Sequence, residues 1–232
     1  YHNIGDSVIL YTQDGKVLKQ EEVSSYPCVG EDRPGLRYFR SVRTTGLNEN
    51  TVVALFSARP LNTGTSYMKM WMPASSDVSY FTALAPGAKT ASSPYQNKPS
   101  LVVTMRKEKP AVKEPFVAVY EPISDKVSAG LIESVDRVKL DPQGEEGCAI
   151  KVNTKEGDTF TLVNILKDGP VILNNQKCCG DFAIFAKRKG KNSVYVGNGS
   201  FVENKEFKVE SENRGSFYME YDQTSLLVRS NC

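Results

Sequence analysis

Histidine is all but missing from this chain: of 232 residues only one is a histidine, His2, at the second position. No Ser-His or Cys-His nucleophile pair can therefore be assembled inside the fold, and a histidine-rich zinc constellation is excluded. Net charge is nearly missing as well. The 29 Lys and Arg against 27 Asp and Glu leave a formal +2, which gives no global argument for nucleic acid or a membrane surface. No apolar run approaches the roughly 18 residues that would suggest a transmembrane helix. P-loop, dinucleotide-fingerprint, GxSxG and EF-hand patterns are absent. The five cysteines, Cys28, Cys148, Cys178, Cys179 and Cys232, lack metal-ligand spacing. We accordingly expect no metal and no cofactor. The chain begins at Tyr1 with neither an initiator Met nor a signal peptide, which reads as a processed product or a segment of a longer protein.

What is present is β pattern. The stretch Lys98–Pro122 holds two apolar runs, Leu101–Met105 and Phe116–Tyr120, joined by a charged segment containing Pro110 and Pro115. Both runs are apolar on both faces, as central strands of a packed sheet are, and we expect them to form a buried hairpin with a solvated tip. Thr51–Ala58 is a further strand apolar on both faces. The first segment reads as a hairpin around Asp14-Gly15. In SYMKMWM, Tyr67, Lys69 and Trp71 alternate with Met68, Met70 and Met72. Trp71 is the sole tryptophan; such a ring can stack on a sugar, although a lone Trp in an apolar strand is more often core. Arg33, Arg37, Arg40 and Arg43 lie among Tyr38 and Phe39. Extended over Arg37–Val42, this cluster could hold an anionic ligand through bidentate contacts, or it could be a solvated edge strand paired with Glu31, Asp32 or Glu49.

Beyond Asp141-Pro142-Gln143-Gly144, the best candidate boundary, short apolar runs recur at close intervals: AIKVNT, TFTLVNIL, PVILNN, DFAIFAKR, SVYVGN, FKVES, SFYMEY and TSLLVRS. Separated by EGD, KDG, CCGD, KGKN and NRG turns, they predict an antiparallel meander or small sandwich. Sustained helical periodicity is absent throughout. The expected fold is all-β, an antiparallel β-sandwich over 1–143 followed by a smaller antiparallel β domain over 144–232.

Few residues offer chemistry. Glu121 ends a buried strand, where desolvation would raise its pKa, but no partner acid is identifiable from spacing. Glu21-Glu22 and Glu145-Glu146 read as solvated loops, and Asn198–Ser200 as a polar turn. Adjacent Cys178 and Cys179 would point to opposite faces of a strand. A disulfide from Cys148 to one of them is an option, so the redox compartment stays open.

Three elements in order, Trp71–Pro73, Pro99–Arg106 and Phe116–Pro122, resemble the heparinase II/III-like polysaccharide lyases across about residues 36–123. In that family a strand with a "Trp/Leu–x–Pro" ending precedes a "Pro–x–Leu–x–Val" strand with Arg, then "Phe–Val–Ala–Val–Tyr/His–Glu–Pro". The resemblance implies an α/α toroid followed by a large supersandwich-like β-sandwich and a small C-terminal β domain, cleavage of acidic polysaccharide by β-elimination, and a periplasmic or secreted location. The family's catalytic residues come largely from the toroid, with a His from the sandwich. This chain has neither a helical region nor an internal His, so those residues and the family's zinc site do not carry over.

The resulting expectation is a non-catalytic β-sandwich portion of such a lyase, supporting a catalytic domain outside this chain. Arg40, Arg43, Trp71, Arg106 and Tyr120 are the positions expected to touch acidic polysaccharide; catalytic residues, nucleic acid and membrane are not expected. Two alternatives stand beside it: a free-standing carbohydrate-binding module, and a structural or adhesive sandwich, the last favoured if Trp71 and Tyr120 prove buried.

Overall fold

The computed structural model describes residues 2–3, 5–24, 36–58, 64–87, 98–108, 115–124, 130–140, 147–165, 169–173, 175–205 and 207–231. Cys28, Glu31, Asp32, Arg33, Asp141–Gly144, Glu145, Glu146, Cys232 and most of the Gly87–Pro99 loop lie outside them. Among the described residues the only helical element is a single 3-10 turn at Leu36–Tyr38, and the rest of the regular structure is strand. The fold is all-β. Two compact units emerge, one of residues 1–109 and 117–130, the other of 110–116 and 131–232.

The first unit contains β1 (His2–Asn3), β2 (Ser7–Thr12), β3 (Glu21–Glu22), β4 (Arg40–Leu47), β5 (Val52–Ala58), β6 (Ser66–Met72), β7 (Val78–Ala85), β8 (Ser100–Lys107) and β9 (Val119–Ser124). They form a five-stranded sheet in the order β1-β8-β7-β4-β3 and a four-stranded sheet in the order β2-β5-β6-β9, with antiparallel neighbours. Alternation places one face of each sheet in a shared core. Leu10, Val52, Phe56, Met70 and Met72 from one sheet pack with Val78, Tyr80 and Val103 from the other. On the far side of the five-stranded sheet Val42, Phe81 and Ala83 form a smaller apolar cluster with Val23 and Phe39 beside it. The Asp14-Gly15 turn forms as expected, with Gly15 at φ 88° and a bridge between Tyr11 and Val17.

Two expectations fail here. Lys98–Pro122 is not a hairpin: β8 pairs with β7, and β9 pairs with β6 in the other sheet. The connector between them is a crossover between sheets, and Phe116 and Tyr120 are exposed rather than central. Nor is Arg37–Val42 continuous strand. Leu36–Tyr38 turns helically and Ser41 takes φ 50°, where β4 shifts register against β7.

The second unit contains β10 (Ile132–Val138), β11 (Gly147–Thr154), β12 (Thr159–Ile165), β13 (Val171–Leu173), β14 (Gln176–Cys179), β15 (Phe182–Arg188), β16 (Lys191–Glu203), β17 (Lys208–Tyr221) and β18 (Leu226–Asn231). All nine belong to one sheet, ordered β10-β11-β12-β15-β16-β14-β13, with β17 on β16 and β18 on β17. The EGD and KGKN turns appear where expected, with Gly157 and Gly190 at φ 82°. NRG does not turn. Residues of FKVES and SFYMEY join into the single strand β17, which follows β16 through shifts of register between Val196, Gly199 and Phe201.

Glycine is required at that bend. A Cβ on Gly199 would lie 2.3 Å from Val196 Cγ1 and 2.4 Å from the Cys179 carbonyl oxygen. The curled sheet encloses its own core, including Val163, Leu173, Val196, Val202, Phe217 and Met219. Cys178 is buried in it, whereas Cys179 is half-buried. Both are free thiols, as is Cys148, so the expected disulfide option is not realised. Burial pushes the Cys178 thiol up to about 12, with the neighbouring Cys179 adding to the shift.

Candidate functional site

The five positions singled out from sequence do not converge. Arg40 and Arg43 stand on β4 opposite Leu84 and Thr82 of β7, whereas Arg106 on β8 stands opposite Ser79. Thr82 and Ser79 have opposite parity on β7, so Arg43 and Arg106 belong to opposite faces. Trp71 and Tyr120 lie in the other sheet. Trp71 pairs with Val119 and Met70 with Tyr120, which again places the two rings on opposite faces. Arg40 and Arg43 are exposed, Arg106 is half-buried, and Tyr120 is 47% exposed. Trp71 is only 3% exposed, so its faces are not presented for stacking. The single tryptophan is buried, on the face of its sheet opposite the shared core.

Its role there is specific. Trp71 Nε1 donates to Glu121 Oε2 at 3.1 Å, and Lys69 Nζ sits 5.6 Å from the indole centroid. Glu121 is buried, and Gly130 closes over it: a Cβ at Gly130, where φ is 69°, would fall 2.5 Å from Glu121 Oε1. Tyr11 lies on the same face, through the register Tyr11–Val53–Trp71. Burial first, and the negative charge of Glu121 second, push its phenol up to about 12.

That face, directed away from the shared core, continues along β2, β5 and β6 into a groove of about 440 Å³ lined by Asp6, Ser7, Ile9, Leu55, Ser57 and Tyr67. Ser7 Oγ and Ser57 Oγ are 2.8 Å apart. Hydroxyls beside one aromatic ring can hydrogen-bond and pack on a polyol. The signal that could have found this groove is the alternation Ser7-Ile9 and Leu55-Ser57 opposite the core-facing parity; sequence reading followed the core parity instead. Among the described residues, no group of three or more His, Cys, Asp or Glu converges to hold a metal ion.

Over 229 residues the chain is 31% identical to an endo-acting ulvan lyase of Formosa agariphila, an alignment covering 94% of this chain and 27% of that protein. The similarity is to part of a polysaccharide lyase. The chain spans about a quarter of its relative's length. No protein-family model matches the chain, and no solved structure matches it.

Proposed function

We propose that this chain is a non-catalytic β portion of a polysaccharide lyase, in the heparinase II/III-like manner, supporting a catalytic domain elsewhere in a longer polypeptide and touching an acidic polysaccharide of the ulvan kind. The observation that carries the reading is the alignment itself: nearly the whole chain matches about a quarter of a lyase. The chemistry agrees. β-Elimination needs a base at the proton α to the uronate carboxylate and groups that stabilise the resulting anion. Here the sole histidine is His2, and the buried carboxylate Glu121 is held by Trp71 and roofed by Gly130 rather than aimed at solvent.

In this reading Arg40, Arg43, Arg106 and Tyr120 supply dispersed contacts, and Trp71 acts by positioning Glu121. Each exposed cation contributes little alone, and Arg40 and Arg43, which share one face of β4, are the pair that one polymer can engage together with a gain in effective concentration. A polymeric substrate places the work outside the cytoplasm, in the periplasm or the medium. Among the described residues no helix is long and apolar enough to cross a membrane. Incubating the chain with ulvan and following the ultraviolet absorbance of unsaturated uronate tests the reading. We expect a flat trace; growth of that absorbance would overturn it.

A further inference from the structure

The nine-stranded sheet of the second unit has a second face that its core does not use. Register places Leu162, Ile184, Tyr195 and Tyr218 side by side on β12, β15, β16 and β17, with Arg229 completing the row on β18. Phe160 and Phe182 belong to the rows on either side, and Phe182 lies 5.6 Å from Tyr195, tilted by 39°. The row is open rather than sealed: Leu162 is 37% and Phe182 42% exposed, with Ile184, Tyr195 and Tyr218 half-buried.

The rim is polar and carries charges of both signs. Arg188 lies 5.9 Å over the Phe160 ring and bonds Asp158, Lys191 bonds Glu220 at 2.9 Å, and the Tyr218 hydroxyl donates to Glu220. Arg229 adds a further positive charge in the field of Glu220, and Asp222 acts on Lys191, so three cations alternate with three carboxylates. Half-exposed aromatic rings at strand spacing, bordered by the exposed guanidinium groups of Arg188 and Arg229, suit a ring-bearing polyol with acidic substituents better than an apolar protein surface.

We infer that this face is a binding platform for an anionic polysaccharide, sugar faces resting on Tyr195, Phe182 and Tyr218 while Arg188 and Arg229 meet carboxylate or sulfate groups. This rests on the polysaccharide-lyase reading and adds a site to it, distinct from the arginines of the first unit.

The test is affinity electrophoresis of the 232-residue chain in gels containing ulvan, with dextran as the neutral control. The wild-type chain is retarded by ulvan and not by dextran, and added salt releases it. A Phe182→Ala/Tyr195→Ala double variant weakens retardation roughly tenfold or more. Because Phe182 also packs against Gly197, an Arg188→Gln/Arg229→Gln variant provides a second arm that leaves the apolar surface intact; it weakens binding and flattens the salt dependence. Arg40→Gln/Arg43→Gln serves as the comparison at the other surface. Unchanged retardation in both platform variants, or no retardation of the wild-type chain, overturns the platform. So does protection of β15 and β16 amides by a neighbouring domain in the longer lyase without polysaccharide. The ultraviolet assay reports separately: a flat trace with retardation lost in Arg40→Gln/Arg43→Gln but kept in both platform variants removes only the platform, whereas product formation removes the lyase-module reading.

Discussion

At the scale of single residues, two buried polar contacts set the strongest expectations. Lys107 and Asp77 form an ion pair at 3.4 Å with side chains 3% and 7% exposed, and Ser75 Oγ lies 3.2 Å from each. Replacing Lys107 with Met removes the cation that balances the buried Asp77 carboxylate, so Lys107→Met is expected to cost about 3–5 kcal/mol in urea unfolding. The pair Lys19–Glu21, with side chains 89% and 77% exposed, is the contrast: Lys19→Met should leave the midpoint unchanged. Trp71→Phe keeps a buried ring but removes the N–H that Glu121 accepts, for an expected loss of about 1–3 kcal/mol. A midpoint shifted by no more than Lys19→Met would show that this bond contributes nothing.

At the scale of elements, most strands were readable because alternation and turn residues are local. Thr51–Ala58, apolar on both faces, contains β5 (Val52–Ala58), interior to its sheet and largely buried. Pairing was not readable, because which strand lies beside which is decided by distant residues. Leu101–Met105 and Phe116–Tyr120 have the composition of hairpin partners yet belong to different sheets. The aromatic row of Tyr195 and Tyr218 was illegible for the same reason: its members are separated along the chain and meet only through register. NRG failed differently. Turn-like residues there continue β17 because β16 bends in step with it. That bend depends on Gly199, and Gly199→Ala sets a methyl against a backbone carbonyl that cannot step aside. An expected loss of about 1–3 kcal/mol should appear with fast amide exchange in β14, β16 and β17. Slow exchange in all three would refute the account.

At the scale of the whole molecule, the two units each enclose a core of their own, and their independence is measurable with a probe the sequence supplies. Trp71 is the sole tryptophan and is buried in the first unit, so its fluorescence reports that unit alone, while far-ultraviolet circular dichroism reports both. If the cores unfold separately, the two urea curves do not coincide. Each unit also carries shifted groups whose titration its own probe can follow. Tyr11, in the first unit, has a phenol raised from 10.0 to about 12. A raised acid is neutral in the folded state, so its contribution is intact below pH 10 and is lost as pH climbs toward 12. The fluorescence midpoint should therefore fall across that window, and Tyr11→Phe should flatten the fall. Asp222, in the second unit, is lowered to about 2 by hydrogen bonds from Thr224 and Ser225 in the turn between β17 and β18. Its contribution is present above pH 3.8 and fades as pH drops toward 2, so acid should weaken the dichroism-only transition across that window, and Asp222→Asn should flatten the change. Coincident curves at every pH would mean that the molecule unfolds as one cooperative body.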